Sequence, residues 1–389
     1  MVEERKMRLH FGPHHPSTHG VLRLELELEG EKVVKVIPII GQLHRGIEKL
    51  AEEFTYHQVI PLTDRLDYTA ASLNNLGYVL AVEKLLGIEV PKRAQYLRVI
   101  ISELSRIMGH HLWIGSSALD LGAMTVVFYA FADREIIMEC IEEASGGRLT
   151  PTYMRIGGVA KDVTEKFIER VKYFVEMFPA KIDGYERLLT DNKIWRLRNE
   201  NLAVISYEDA INLGLTGAVG RASGVKYDVR KAFPYSSYED FEFEVPIGTK
   251  GDAFDRYMCR IEEMRQSVKI IKQGIENLPD GPVMADIPYL NPPQEKVRTD
   301  IDALIRRFKF ATAGFPAPKG EVYQSVEGSK GELGFYIYSD GDNKPYRLKI
   351  KSPCYIHVSA LPAMTEGYML SDIITAIGGL DIVLGEIDR

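Results

Sequence analysis

Val21 to Leu28 reads V-L-R-L-E-L-E-L, a strict alternation of apolar and charged residues. A period of two puts the apolar set on one face and predicts a half-exposed strand. Glu29-Gly30-Glu31 interrupts it as a turn, and Val33 to Ile40 resumes β-like sequence, so an antiparallel hairpin is predicted. Ahead of it lies Phe11-Gly12-Pro13-His14-His15-Pro16-Ser17-Thr18-His19, a loop by its glycine and prolines. From Gly41 the spacing becomes helical, over His44–Glu53, Asp67–Leu86, Pro91–Trp113, Ala123–Ala144, Thr164–Met177, Tyr207–Leu213 and Asp252–Leu278. Asp372–Leu384 reads as a closing helix broken at Gly378-Gly379, while 214–244 and 317–355 are turn-rich and β-prone. The pattern predicts an α+β fold. It has an N-terminal β-hairpin region at 1–40 and a helical core over 41–389, with β insertions near 214–244 and 317–355.

Composition narrows the class of function more than the fold. The chain has 389 residues, 45% hydrophobic and 26% charged, which is ample for a large buried core. Its net charge of −7 leaves no basic footprint, so nucleic acid is not an expected partner. Cys140, Cys259 and Cys354 are far apart and form no CxxC pair, which fits a reducing compartment. Met1-Val-Glu-Glu-Arg-Lys6 leads into strand-like sequence without an apolar signal region. The apolar run Gly122–Ala132 is about half the roughly 20 residues of a spanning helix, so any membrane attachment is expected through partners.

Candidate chemistry begins with His10, His14, His15 and His19, crowded into one loop. Such crowding points to a metal site, to a hydrogen-bonded loop, or to proton donors at a ligand pocket. The spacing fits no zinc pattern, and no acid or cysteine stands among them. Asp64-Arg65-Leu66-Asp67-Tyr68 suits a charged helix start, and Tyr78 lies among apolar residues as a core tyrosine would. Asp120, in Ala118-Leu-Asp-Leu-Gly-Ala-Met124, is either an N-cap for the helix from Ala123 or a carboxylate that needs a partner.

These segments together resemble one family along the whole chain. Gly12-Pro-His-His-Pro-Ser-Thr-His-Gly-Val-Leu-Arg-Leu24 and Leu43-His-Arg-Gly-Ile-Glu-Lys-Leu50 look like its first two signatures. Asp64-Arg-Leu-Asp-Tyr68 with Tyr78-Val-Leu-Ala-Val-Glu-Lys-Leu85 matches a third. Ala118–Thr125, Gly248-Thr-Lys-Gly-Asp252 with Asp255-Arg-Tyr257, and the ending Leu380–Arg389 complete the set. The family is that of the 49 kDa subunit, also called the D subunit, of NADH:quinone oxidoreductase (complex I), related to the large subunit of nickel–iron hydrogenases.

The relation to hydrogenases implies a helix bundle of that type and supplies a test. Hydrogenases hold nickel and iron with two pairs of thiolates, soft ligands suited to those ions. The aligned positions here are Asp67, Ala70, Val383 and Glu386, with no thiolate among them, so the chain's own metal ligands are expected to be none. The resemblance implies a quinone as substrate, held beside a [4Fe-4S] cluster that belongs to a partner. His19 and Tyr78 resemble the pair that hydrogen-bonds the quinone carbonyls, and Asp120 resembles the carboxylate that partners the histidine. Arg65 resembles the arginine packed near the cluster; His15, Asp67, Thr150, Val383 and Glu386 fall in the pocket or beside the cluster. Thr150 stands where the family often has a histidine, which implies a cluster potential less dependent on pH. The implied partners are the iron–sulfur cluster (B) subunit, the C and I subunits, and the membrane-embedded H subunit, on the cytoplasmic side of the cell membrane. Relatives driven by reduced F420 or ferredoxin, and a structural scaffold without a redox role, are the alternatives.

Overall fold

Helices with apolar residues on nearly every face must be buried on every face, and that rule sets the centre of the molecule. The computed structural model describes residues 6–292 and 294–389; the reading of Met1–Lys6 as free of a signal lies, but for Lys6, outside them. After α1 (Tyr56–Thr63), α2 (Ala71–Leu86) and α3 (Lys92–Asp120) fit that description, with buried residues all round. With 29 residues at 1.5 Å each, α3 runs about 43 Å and forms the spine of the bundle. Around it pack α4 (Met124–Ser145), α5 (Glu165–Leu189) and α6 (Ala253–Glu276), and α7 (Ile301–Ala313) follows in the chain. Thr164 starts α5 by accepting the Phe167 amide at 3.2 Å, and Asp252 starts α6 by accepting that of Asp255 at 2.8 Å.

The strand alternation at the N-terminus is expressed as a sheet of β1 (Lys6–Phe11), β2 (Arg23–Glu29) and β3 (Lys32–Ile39), all antiparallel. Leu24, Leu26 and Leu28 turn inward, while Glu25, Glu27 and Glu29 face out, two of them toward Arg8 and Lys6. The β1 strand goes beyond the predicted hairpin; Lys-Met-Arg-Leu-His-Phe alternates polar and apolar residues as β2 does, and it pairs with β2 along its whole length. The inner face of the sheet packs on C-terminal helices, including α8 (Pro353–Ser359) and α9 (Asp372–Leu380), through residues such as Val358, Leu361, Met364 and Leu380.

A second sheet, β4 (Gly320–Glu327), β5 (Glu332–Ser339) and β6 (Arg347–Lys351), is antiparallel and lies in the segment 317–355. It sits on α2 where Gly77 lets the backbones close; a Cβ there would come within 2.8 Å of the Phe335 ring. Residues 214–244 differ from expectation. They form short helices, Gly217–Ala222 and Val229–Ala232, and a 3-10 turn at Tyr238–Asp240, with no strand among the described residues. The reason is charge: Arg221 and Arg230 of this segment are buried and pair with Glu263, Glu327, Asp228 and Glu103, which a ladder of alternating side chains would not allow.

Helix limits differ for similar reasons. His44–Glu53 shrinks to Ile47–Leu50, and α9 runs straight through Gly378-Gly379 before ending at Asp381, whose φ of 54° is left-handed. Both glycines are packed: the Gly378 carbonyl accepts the Trp113 indole N–H at 2.7 Å, and Gly379 lies against Ala253. Asp120 is the last residue of α3, and the N-cap position of α4 falls on Ala123. The cap reading of Asp120 is therefore replaced. No described helix is long and apolar enough to cross a membrane.

Candidate functional site

The histidine loop is shaped by a 3-10 turn at Pro16–Thr18. His15 Nδ1 accepts the Ser17 amide at 3.2 Å, and the Thr18 hydroxyl donates to the carbonyls of Pro13 and His15 at 3.1 and 2.8 Å. His19 ends the turn with φ 56°. A side chain other than glycine held there costs about 1–3 kcal/mol, a strain that marks functional loops. Its residue surface is open to solvent, yet protein crowds the ring: burial and then the Lys330 charge lower its pKa below the usual imidazole value.

Asp120 reaches this loop from the end of α3. Burial raises its pKa, and the Ser17 hydroxyl and the His15 ring pull it back down. The carboxylate thus addresses Ser17 and His15 rather than His19.

Asp67, Val383 and Glu386 are buried and lie in one cluster. Asp67 Oδ1 accepts the Thr69 amide and hydroxyl at 2.9 and 2.6 Å, and its Oδ2 accepts the Ser329 hydroxyl at 2.7 Å. Glu386, on α10 (Leu384–Asp388), accepts the Ser352 hydroxyl at 2.8 Å and the Cys354 amide at 3.3 Å on Oε1. Its Oε2 faces the Cys354 thiol at 3.7 Å, and that sulfur accepts the Val383 amide at 3.4 Å. Burial, and next Asp67, raise the Glu386 carboxyl to about 7. Lys330 Nζ lies 2.5 Å from Asp381 Oδ2; burial opposes its charge, but Asp381 and Asp67 hold its pKa up.

Ser329 and Lys330 arrive from the tip of the β4–β5 hairpin, Gly328-Ser329-Lys330-Gly331. The tip is wedged against the helix Gly217–Ala222. A Cβ on Gly217 would lie 2.5 Å from the Lys330 carbonyl, and one on Gly331 2.6 Å from the Thr216 hydroxyl. Both glycines also have positive φ. The sequence signal is a lysine and serine bracketed by glycines inside a β-prone run.

The two tyrosines separate. Tyr78 is 0% exposed, and its hydroxyl donates to the Tyr56 carbonyl at 2.9 Å, edge-on to Phe335 inside the core. Tyr68 is half-buried beside the cluster; burial, then the Asp67 charge, raise its phenol, and Lys330, Cys354 and Arg45 also act on it. Sequence reasoning passes over Tyr68 as part of a charged helix start.

Arg65 is exposed, and its carbonyl accepts the Arg45 guanidinium at 2.8 Å. The same Arg45 nitrogen donates to the Gly385 carbonyl at 2.9 Å, so Arg45 ties the Asp67 segment to the Glu386 segment. Thr150 is part-buried in the loop after α4, next to exposed Leu149, and has no hydrogen bond into the cluster. Among the described residues no three His, Cys, Asp or Glu side chains gather as a metal site.

An acid that titrates near neutrality and a charged lysine, with a phenol and an imidazole under their influence, can bind a polar group and pass it protons. The sequence comparisons agree with the motifs that border this point. The model of the respiratory-chain NADH dehydrogenase 49 kDa subunit matches residues 120–389. The D subunit of NADH-quinone oxidoreductase from Geobacter metallireducens is 55% identical over 390 residues, spanning all of both chains, and that from Geobacter sulfurreducens is 54% identical over the same span. The second D subunit of NADH-quinone oxidoreductase from Thermodesulfovibrio yellowstonii is 49% identical over 398 residues, covering 100% of this chain and 98% of its own. With a family match over more than half its length and relatives of this identity from end to end, the chain belongs to the family of the 49 kDa subunit of the respiratory-chain NADH dehydrogenase.

Proposed function

We propose that this chain forms the quinone pocket of an NADH:quinone oxidoreductase, next to a [4Fe-4S] cluster held by the complex's B subunit. The C and I subunits and the membrane-embedded H subunit are its further partners on the cytoplasmic side of the membrane. The carrying observation is the buried cluster of Asp67, Lys330 and Glu386, with half-buried Tyr68 beside it and the exposed His19 within reach of the Lys330 charge. The names of the relatives supply the substrate pair, NADH and quinone.

Two electrons entering a quinone build negative charge on two opposite oxygens, and each oxygen then takes a proton. His19 and the Tyr68 phenol are the donors proposed for them. Tyr68 replaces Tyr78 in this role, because the Tyr78 hydroxyl has no exposed surface and is already committed to the Tyr56 carbonyl. Lys330 stabilises developing negative charge without giving up its own proton, since Asp381 and Asp67 hold it cationic. Asp120 positions the loop through Ser17 and His15. Exposed Arg65 faces outward as a contact for the cluster-bearing partner would, with Thr150 in a neighbouring role.

The test is quinone reduction by the assembled membrane complex carrying Tyr68→Phe, with NADH as donor. Loss of most of that activity, with transfer to an artificial acceptor intact, is the expected result. Undiminished quinone reduction would leave a scaffold role. A complex that ignores NADH but accepts electrons from reduced F420 or ferredoxin changes the donor and leaves the site in place.

A further inference from the structure

A buried ion pair is a weak source of stability, because the cost of taking two charges out of water roughly cancels their attraction. Arg221 and Glu327 are both almost closed to solvent and pair at 2.8 Å, so stability alone does not account for them. Glu327 is the last residue of β4 and stands three positions before Lys330 at the hairpin tip. Resting on the reading of Lys330 as the charge that stabilises the reduced quinone, we propose that Glu327 is a positioning residue. Through it the segment 216–235 holds the hairpin tip where Lys330 and Ser329 reach the site.

Both legs of the hairpin are tied to that segment. On the β4 side, Glu327 Oε1 accepts from Arg221 at 2.8 Å and Oε2 accepts the Val229 amide at 3.0 Å. The Glu327 amide donates to the Tyr235 hydroxyl at 3.0 Å. On the β5 side, the Glu332 amide donates to the Thr216 hydroxyl at 3.0 Å. Between them the turn closes on itself, with the Gly328 amide on the Gly331 carbonyl at 2.7 Å. A tip this short takes its direction from where its two ends are held. From it Ser329 reaches Asp67 Oδ2 at 2.7 Å and Lys330 reaches Asp381 Oδ2 at 2.5 Å.

Arg221 is itself fixed from the other side. Its second terminal nitrogen donates to Glu263 of α6, whose Oε2 lies 3.0 Å from Nε2 of His110 on α3. One arginine thus joins the helix bundle to the hairpin, and Glu327 is its acceptor at the hairpin end. A hydrogen-bonded pair of this kind specifies one register, whereas apolar packing of similar volume leaves the contact free to slide.

Charged groups face both ends of this arm. Burial, and next Asp228, raise the Glu327 carboxyl, while Arg221, Arg230 and, from α3, Arg106 pull it down. Burial works against the Lys330 charge, and Asp381, Asp67 and the Cys354 thiol hold it in place. Arg106 also donates to the Glu327 and Gly328 carbonyls at 2.8 and 2.7 Å, ties that any side chain at position 327 keeps. Replacing the carboxyl therefore loosens the tip without releasing it.

Glu327→Gln in the assembled complex separates positioning from support of the fold. The amide keeps one acceptor oxygen for two donors, and Arg221 keeps Glu263, so no buried charge is stranded. The kcat of NADH:quinone reduction is expected to fall on the order of tenfold, since a misplacement of about 1 Å can cost roughly a hundredfold. The pH midpoint moves upward, toward that of Lys330→Met, because a displaced Lys330 no longer adds to burial in depressing His19. Glu327→Asp keeps the charge and restores part of both, and transfer to an artificial acceptor stays intact in each variant. A lower thermal-inactivation temperature with kcat and midpoint unchanged, while Lys330→Met moves both, overturns the positioning role and leaves the reading of Lys330 standing. If Lys330→Met itself leaves kcat and midpoint unchanged, the reading of Lys330 falls and the positioning role with it. Should Glu327→Gln fail to assemble, Tyr235→Phe removes only the hydroxyl that accepts the Glu327 amide and must move the midpoint the same way. An unmoved midpoint there overturns the positioning role.

Discussion

Lys330 Nζ and Asp381 Oδ2 stand 2.5 Å apart, and both residues are almost closed to solvent. Asp381 holds the left-handed end of α9 and also faces Arg260 at 3.8 Å, so the pair joins the hairpin tip to the C-terminal helices. The Lys330 cation is felt at His19, where it adds to burial in lowering the imidazole pKa.

Lys330→Met should therefore do two separable things. It strands a buried carboxylate, which costs about 3–5 kcal/mol, and thermal inactivation of the complex moves to lower temperature. It also removes one of the influences that depress His19, so the pH midpoint of quinone reduction moves upward. Lys330→Arg keeps the charge and should leave that midpoint in place. A Lys330→Met complex with an unmoved midpoint would separate Lys330 from His19.

Tyr78→Phe is the contrasting case. The change removes a hydroxyl that donates to the Tyr56 carbonyl at 2.9 Å in a dry core. That carbonyl opens the helix Tyr56–Thr63 and keeps its acceptor place there, so losing one buried hydrogen bond costs about 1 kcal/mol of stability. Quinone reduction at a permissive temperature should be unaffected, because this phenol has no surface to offer a ligand. An inactive but well-assembled Tyr78→Phe complex would return the donor role to Tyr78.

Legibility in the sequence follows the range of the physical signal. The β2 alternation and the long helices α2, α3, α4 and α6 are local patterns, and each is readable from spacing alone. The segment 214–244 misleads because turn chemistry and β-prone residues are local, whereas the burial of Arg221 and Arg230 depends on distant acids. The helix Ile301–Ala313 is legible but passed over: Ile301, Leu304, Ile305 and Phe308 stand at helical spacing, although the fold leaves them exposed. At the site, Asp67 and Glu386 are singled out only through the resemblance to hydrogenases. Lys330, Ser329 and Cys354 are not, because a hairpin tip inserted beside Thr216 and Gly217 leaves no periodic trace. Tyr68 and Tyr78 are told apart by burial, Tyr78 being closed off with its hydroxyl on the Tyr56 carbonyl and Tyr68 only half-buried.

Asp120→Asn tests the link between α3 and the histidine loop. The carboxylate answers to Ser17 and His15 and is only half-buried, so its hold on the loop is worth about 1 kcal/mol after screening. That corresponds to roughly a fivefold effect. The expected result is a raised KM for quinone with a smaller change in kcat, since the loop is misplaced while the proposed donors remain. A loss confined to kcat would mean that Asp120 takes part in proton transfer instead.

Glu103 offers a test of the fold that is independent of the site. It is 0% exposed and accepts the Tyr238 and Ser267 hydroxyls at 2.6 Å each, Arg106 Nε at 3.1 Å and Arg230 Nη1 at 3.1 Å. Burial pushes its pKa up, but the two guanidiniums and two hydroxyls outweigh it and bring it down to about 2. A carboxyl depressed in the fold stabilises the protein above its ordinary value of 4.5, and that contribution is lost as pH falls toward about 2. Glu103→Gln should cost about 3–5 kcal/mol at neutral pH, because Arg106 and Arg230 keep their charges without this partner. Hydrogen exchange of the α3 amides, followed stepwise to lower pH, should show the gap between variant and unmutated protein closing below about 4.5. A gap that stays constant through that range would mean that the loss reflects packing around residue 103 and not its charge.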